Sequence, residues 1–295
     1  MRSSSAPGMR FGIRSSQHHK TWSQLRDNFV AADEWGLESA WVFDHMIPLS
    51  DPRTGPNLDG WTLLAGLAQA TTRVLIGPMV TGITYRNPAL LLKIVTTVDH
   101  ISNGRALLGV GAAWFEGEHH MFGFDYPSDG DRVTMLNESL EAFKLLQTQD
   151  ASTYEGKFVT LKDAIFEPKP IAQQDGQPHL PVVIGGSKPR MLRLIARHAD
   201  WWDNNFGDDA EYQERVKLLE EACAKNGRDP LCIRRSTTLP ATFTTTGDAS
   251  SQRERMEQLR ELGITDILFA VPDDIQAMRP FVEDVIPGLR DAWSK

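Results

Sequence analysis

The chain has 295 residues, 41% of them hydrophobic and 24% charged, with two cysteines. This composition excludes intrinsic disorder and a disulfide-stapled fold, and the length suits one large α/β domain over residues 1–295. A formal charge of -8 at pH 7, with no long basic run, opposes binding to nucleic acid.

Residues 1–8 lack the apolar stretch of a secretory signal, and no apolar run further on is long enough to span a bilayer, so the expected location is the cytoplasm, with no membrane partner. Residues 10–15 read as strand one. A helix follows over about 22–35, where Trp22, Leu25, Phe29 and Ala32 share a face and Gly36 closes the end. Residues 39–43 form strand two, 61–70 a second helix and 74–80 strand three. Pro88 opens a helix running to 101, which Asn103-Gly104 stops. Strand four covers 106–110, and a helix over 132–147 buries Val133, Leu136, Leu140, Phe143 and Leu146.

The rhythm then breaks. Residues 150–179 carry a hairpin-like turn, Tyr154-Glu155-Gly156-Lys157, and then several prolines, which reads as an inserted excursion and not another βα unit. Strands five to eight follow at 181–184, 200–203, about 231–241 and 266–271, separated by helices near 190–198, 210–226 and 250–262. A last helix covers 275–289. Cys223 falls in a helix-like segment and Cys232 in a strand-like one, with no CxxC pair, which fits a reducing compartment. Eight βα units in this length favour a closed (β/α)8 TIM barrel, with an insertion between strands four and five, over a doubly wound open sheet. Catalytic residues are then expected at the C-terminal ends of strands.

Strand two ends in Phe43-Asp44-His45, which puts a carboxylate and an imidazole at the barrel mouth. His45 could exchange protons with a bound redox ring while Asp44 fixes its tautomer or the local backbone; equally, Asp44 could cap a loop and His45 be a satisfied, partly buried histidine. Strand three ends in Gly77-Pro78-Met79-Val80-Thr81-Gly82, small enough to lie beneath a flat ligand, although a barrel corner explains the glycines too. Gly109-Val110-Gly111-Ala112-Ala113-Trp114-Phe115-Glu116 matches neither a dinucleotide fingerprint nor a Walker loop. Gly185-Gly186-Ser187-Lys188 precedes a helix, where main-chain N–H groups, the helix dipole, a hydroxyl and a charge suit a phosphate; a simple turn needing positive φ is the alternative.

His18-His19 and His119-His120 invite a metal-dependent hydrolase reading, but neighbours in sequence diverge in direction and no HExxH pairing exists, so no metal ligand is assigned. Glu116 and Glu118 beside His119 read as a solvated loop of mixed charge. Trp114 is the tryptophan expected near a ring.

Taken together, Phe43-Asp44-His45, Gly60-Trp61-Thr62-Leu63-Leu64 and residues 80–86 with Pro88, then 97–102, 109–115 and 184–187, resemble the luciferase-like monooxygenase superfamily. The branch they resemble is that of oxidoreductases dependent on coenzyme F-420 (F420, a deazaflavin). The resemblance implies a small-molecule substrate and a deazaflavin or flavin ring across the barrel mouth. By position it implies His45 at the redox-active edge, a non-proline cis peptide at Met79-Val80, Thr81, Ala112 and Ala113 flanking the ring, and the phosphate over Gly185, Gly186, Ser187 and Lys188. Glu116 only approximates a family acid. The resemblance leaves open a monooxygenase using reduced FMN from a partner reductase, or a flavin-binding barrel without turnover. Homodimers are common in the family.

Overall fold

The computed structural model describes residues 9–293; the residues 1–8 that bear on a secretory signal lie outside these. Eight parallel strands form the frame: β1 Arg10–Arg14, β2 Ser39–Val42, β3 Leu75–Pro78, β4 Leu108–Gly111, β5 Val182–Gly185, β6 Trp201–Asp203, β7 Arg234–Leu239 and β8 Asp266–Ala270. They run in the order β3-β2-β1-β8-β7-β6-β5-β4. β3 closes the ring: after a cis Met79-Val80 peptide it continues as Thr81–Gly82, which pairs in parallel with Val110 and Gly111, while Ile76 bridges to Ala106. The expected (β/α)8 barrel is what forms.

The alternating pleat explains two separate cores. Trp41, Met79, Leu107, Val183, Trp201 and Leu268 fill the barrel interior, and Trp41 meets Trp201 edge-on at 5.0 Å. The outward residues, such as Phe11, Ile76, Val110 and Ile184, pack on the surrounding helices. Gly109 permits this closure, because a Cβ there would lie 1.8 Å from the Pro78 carbonyl oxygen.

The helices are α1 Trp22–Glu34, α2 Gly60–Ala70, α3 Pro88–Ser102, α4 Glu116–Phe122, α5 Asp129–Thr148, α6 Pro189–His198, α7 Asp209–Lys225, α8 Ala241–Thr245, α9 Ala249–Glu261, α10 Arg279–Asp284 and α11 Ile286–Trp293. None of the described helices is long and apolar enough to cross a membrane. Strand seven is shorter than its apolar run suggests. Asp229 caps a 3-10 turn over Pro230–Cys232, which leaves Cys232 exposed and outside the strand, and α8 begins straight after Pro240. The last helix is three pieces, a 3-10 turn over Ile275–Met278 and then α10 and α11, since Pro280 and Pro287 lack the N–H that would continue a helix through them. α5 starts earlier than expected, at Asp129, where the Ser128 hydroxyl accepts from Asp131 N.

The excursion consists of an antiparallel hairpin, Ser152–Glu155 with Thr160–Ala164, and a smaller one around Asp175-Gly176. Val159, Leu161 and Phe166 join the same apolar cluster as the barrel helices. Two carboxylates pin it. Buried Glu138 accepts from the backbone N–H groups of Lys157, Phe158 and Val159 at 3.0, 2.7 and 3.1 Å, and Asp99 accepts from Ile171 and Ala172 at 2.7 and 3.0 Å. Glu138→Ala leaves three donors without an acceptor, so we expect a loss of about 2–3 kcal/mol. Denaturant midpoints together with limited proteolysis check this: new cleavage within residues 152–164 is expected, and an unchanged midpoint with no cleavage would contradict it.

Candidate active site

The C-terminal strand ends open into a cavity of about 720 Å³. Asp44 and His45 enter it from β2, and Met79, Val80 and Thr81 from the break in β3. Ala112, Ala113 and Trp114 follow β4, and Gly185, Gly186, Ser187 and Lys188 join β5 to α6. All of these sequence-selected residues line the one cavity. Ala113 lies in the left-handed region at φ 62°, and the following Trp114 is 65% exposed, with its ring edge-on to His45 at 5.8 Å.

His45 is held by a residue that the sequence reading sent to the surface. Glu118 is not in a solvated loop: it sits in the helix α4, fully buried, and its carboxylate meets His45 Nδ1 at 2.8 Å. The same carboxylate accepts from Met46 N at 2.6 Å, Ile47 N at 3.2 Å and the Tyr85 hydroxyl. Burial pushes the Glu118 carboxyl up, but the bonds from His45, Tyr85 and the Met46 amide outweigh it and hold the group below the ordinary glutamate range. An ionised Glu118 accepts from Nδ1–H and so fixes the ring orientation of His45. Nε2 has no partner among the described residues.

Asp44 does other work. Its carboxylate takes a two-pronged bond from Arg86, at 2.6 and 3.1 Å, and Arg86 also reaches Asp59 at 3.0 Å. Burial pushes the Asp44 carboxyl up and Arg86 draws it back. The tautomer-fixing part considered for Asp44 is therefore performed by Glu118, and Asp44 braces the chain where it leaves β2.

On the opposite wall, Lys188 caps α6 without a side-chain bond to the helix, and Pro189 follows as its first residue. The amides of Arg190 and Met191 are thus left for a ligand. Gly186 adopts φ 137°, accepts from Trp202 Nε1 at 2.7 Å through its carbonyl, and approaches Met191 so closely that a Cβ would lie 3.2 Å from that side chain. Ser187, Lys188 and Arg190 line the rim. This donor-rich turn, with no side chain of its own in the way, is suited to a phosphate.

The family model described as luciferase-like monooxygenase matches residues 9–262. The chain belongs to that family. This luciferase-like protein is 34% identical over 226 residues to an uncharacterised protein of Mycobacterium tuberculosis, covering 76% of this chain and 73% of that one. It is 26% identical to the F420-dependent glucose-6-phosphate dehydrogenase of Microbacterium testaceum, covering 97% of this chain and 99% of that one. In fold it is similar to an F420-dependent secondary alcohol dehydrogenase solved with an F420-acetone adduct, at a TM-score of 0.84 and 21% identity, covering 96% and 100% of the two chains. A long-chain alkane monooxygenase shares the fold at a TM-score of 0.82 and 12% identity, covering 97% of this chain and 92% of the other.

The remaining histidines of this luciferase-like chain have structural partners. His119 is buried between the Phe115 carbonyl, 2.8 Å from Nδ1, and the Thr84 hydroxyl, 2.6 Å from Nε2, and stacks on Tyr85 at 4.8 Å. His18 stacks on Phe43 at 5.4 Å, and its Nε2 accepts from Leu49 N at 3.3 Å; burial lowers it to about 4, so it is neutral at neutral pH. Among the described residues no three His, Cys, Asp or Glu converge as a metal site. Besides Glu118, which stands behind the cavity wall, several lining residues escaped the sequence reading, two arginines among them. Buried Arg132 holds the loop after β4 through Ala112 O at 3.0 Å and Pro127 O at 2.5 Å, and Arg14 reaches in from the end of β1.

Proposed function

We propose that this protein is an F420-dependent oxidoreductase that moves hydride to or from a small organic substrate at the barrel mouth. The observation that carries the reading is the pairing of His45 with ionised Glu118 on one wall of a cavity whose other wall is an uncapped helix start behind Gly185-Gly186-Ser187. The names of the relatives support the choice of F420 over FMN, since several curated relatives at 26–31% identity are F420-dependent glucose-6-phosphate dehydrogenases.

The residues fit such a group. Gly186, in a conformation that L side chains rarely adopt, lets a phosphate approach the main chain, and the α6 amides, Ser187 and Lys188 would hold it. Met79, Val80, Ala112 and Ala113 offer an apolar bed for the ring. When bound, F420 supplies the hydride chemistry. The protein's own contribution is the proton: Glu118 fixes Nδ1–H, so Nε2 of His45 takes a proton from a substrate hydroxyl or, once protonated, returns one to a carbonyl oxygen. Trp114 stands at the mouth with its ring edge-on to that of His45.

Titrating the protein with oxidised F420 and with FMN in turn, followed by fluorescence quenching, tests the reading. F420 is expected to bind more tightly. Tighter FMN binding, with oxygen uptake on addition of reduced FMN, would overturn it in favour of a monooxygenase.

A further inference from the structure

A second cavity, of about 430 Å³, opens beside the first at the ends of β1, β7 and β8, with Ser16, Thr238, Pro240, Ala270 and Val271 in its walls. Arg14, Phe43 and Asn205 line both cavities, so the two are neighbouring compartments. Nothing in the proposed redox chemistry uses this side chamber.

Among the described residues, Arg14 is the only charged one of its lining. Among the described residues its guanidinium donates one hydrogen bond, to Thr238 Oγ1 at 3.2 Å, and lies over the Phe43 ring at 4.4 Å. It has no ion pair with a described carboxylate. Asp203, whose field does reach it, makes no ion pair with it and is bonded by the Ser236 hydroxyl at 2.9 Å; burial pushes that carboxyl up while Arg14 and Ser236 draw it back. A guanidinium carries five N–H donors, and leaving a largely desolvated one with most of them idle is unfavourable unless a ligand completes it. In the adjoining main cavity, Asn204 accepts from Arg215 through Oδ1 at 2.7 Å, and its buried Nδ2 finds no acceptor among the described residues.

We propose that the side chamber holds a carboxylate group of the substrate, with Arg14 as its anchor and the Ser16 and Thr238 hydroxyls beside it. The fork of a guanidinium matches the two oxygens of a carboxylate, and one cation matches its single charge, whereas a phosphate would bring a second charge with no second cation in the lining. Pro240, Ala270 and Val271 give the chamber an apolar wall for the body of the molecule. The Phe43 ring stands 4.4 Å from the Arg14 guanidinium and 6.4 Å from the His45 ring, and all three line the main cavity, so a molecule anchored at Arg14 extends towards His45. The substrate class is then a small oxo acid or hydroxy acid. The class rests on the redox reading of the main cavity; the carboxylate subsite does not.

Calorimetric titration of the full chain, without cofactor, with phenylacetate and with phenylacetamide tests the subsite. Wild type is expected to prefer the acid by roughly tenfold or more, Arg14→Gln to lose that preference, and Arg14→Lys, which keeps the charge without the fork, to retain part of it. Equal affinity for acid and amide in wild type, no binding of the acid, or an unchanged preference in folded Arg14→Gln would each overturn the proposal; the wild-type comparison stands even if a variant fails to fold. F420 titration of the same proteins separates the two readings. Arg14→Gln is expected to keep its F420 affinity, and loss of that affinity with the acid preference intact would assign Arg14 to the cofactor and overturn the subsite. If wild type prefers the acid but binds no F420, the cofactor reading fails and the subsite stands.

Discussion

His45→Ala is expected to lower single-turnover hydride transfer about a hundredfold or more, the usual worth of a positioned acid or base, while F420 affinity changes much less. The split follows from the geometry. His45 is gripped through Nδ1 by Glu118 and presents Nε2 without a partner among the described residues, so its removal takes away a proton site and leaves the turn proposed to hold the phosphate untouched. His45→Asn keeps a polar group that cannot titrate, and it should recover little. Glu118→Gln probes the same unit from behind. The amide replaces an acceptor of four donors with a group that is half donor, so Nδ1 loses its fixed proton and the Met46 and Ile47 amides lose part of their anchor. Turnover should fall by at least about tenfold, and stability by about 1–3 kcal/mol. The pH sign is set by the direction of the Glu118 shift: a carboxyl held below its ordinary value stabilises the fold above that value, and the stabilisation fades as pH falls through the folded value. Glu118→Gln should therefore lose less stability than wild type on acidification. Near-wild-type single-turnover rates in folded His45→Ala would remove His45 from the mechanism.

Gly186→Val is expected to weaken F420 binding at least tenfold, about 1.4 kcal/mol, with the barrel still folded. At φ 137° a β-branched residue is strained, and its Cβ meets Met191 at 3.2 Å, so the turn must shift away from the α6 amides it presents. A distant control isolates the site effect: Gly176, at φ 78° with open space around it in the small hairpin of the excursion, should lose stability on replacement by valine but keep F420 affinity. Unchanged affinity in Gly186→Val would make the turn purely structural.

The frame of this protein was legible because each barrel strand is a short apolar run between Gly, Pro or Asn punctuation, and a closed barrel converts strand ends into neighbours. That is why residues from four separate strand ends, His45, Val80, Ala112 and Gly186 among them, line one cavity although 141 positions separate the first from the last. Errors arose where local chemistry outweighed pattern. Leu231, Cys232 and Ile233 look like a strand, yet Asp229-Pro230 starts a capped turn there, and only Ile233 is buried. Glu118 was hidden by its company, since Glu116, His119 and His120 make the segment look solvated. One signal was available: Gly123, in the left-handed conformation at φ 72°, ends a short helix that turns Glu118 and His119 inward and leaves Glu116 and His120 outside. Arg14 carried no signal of this kind, because a lone arginine at a strand end reads as rim until the third dimension shows Phe43 beneath it and no ion pair with a described carboxylate.

A crystal structure of the F420 complex is the most direct test of the account. It predicts the hydride-exchanging edge of the ring beside His45 Nε2, with Glu118 still on Nδ1 and the phosphate against Ser187 and the Arg190 and Met191 amides at the start of α6. A ring turned with that edge away from His45, or a phosphate bound elsewhere than this turn, would contradict it.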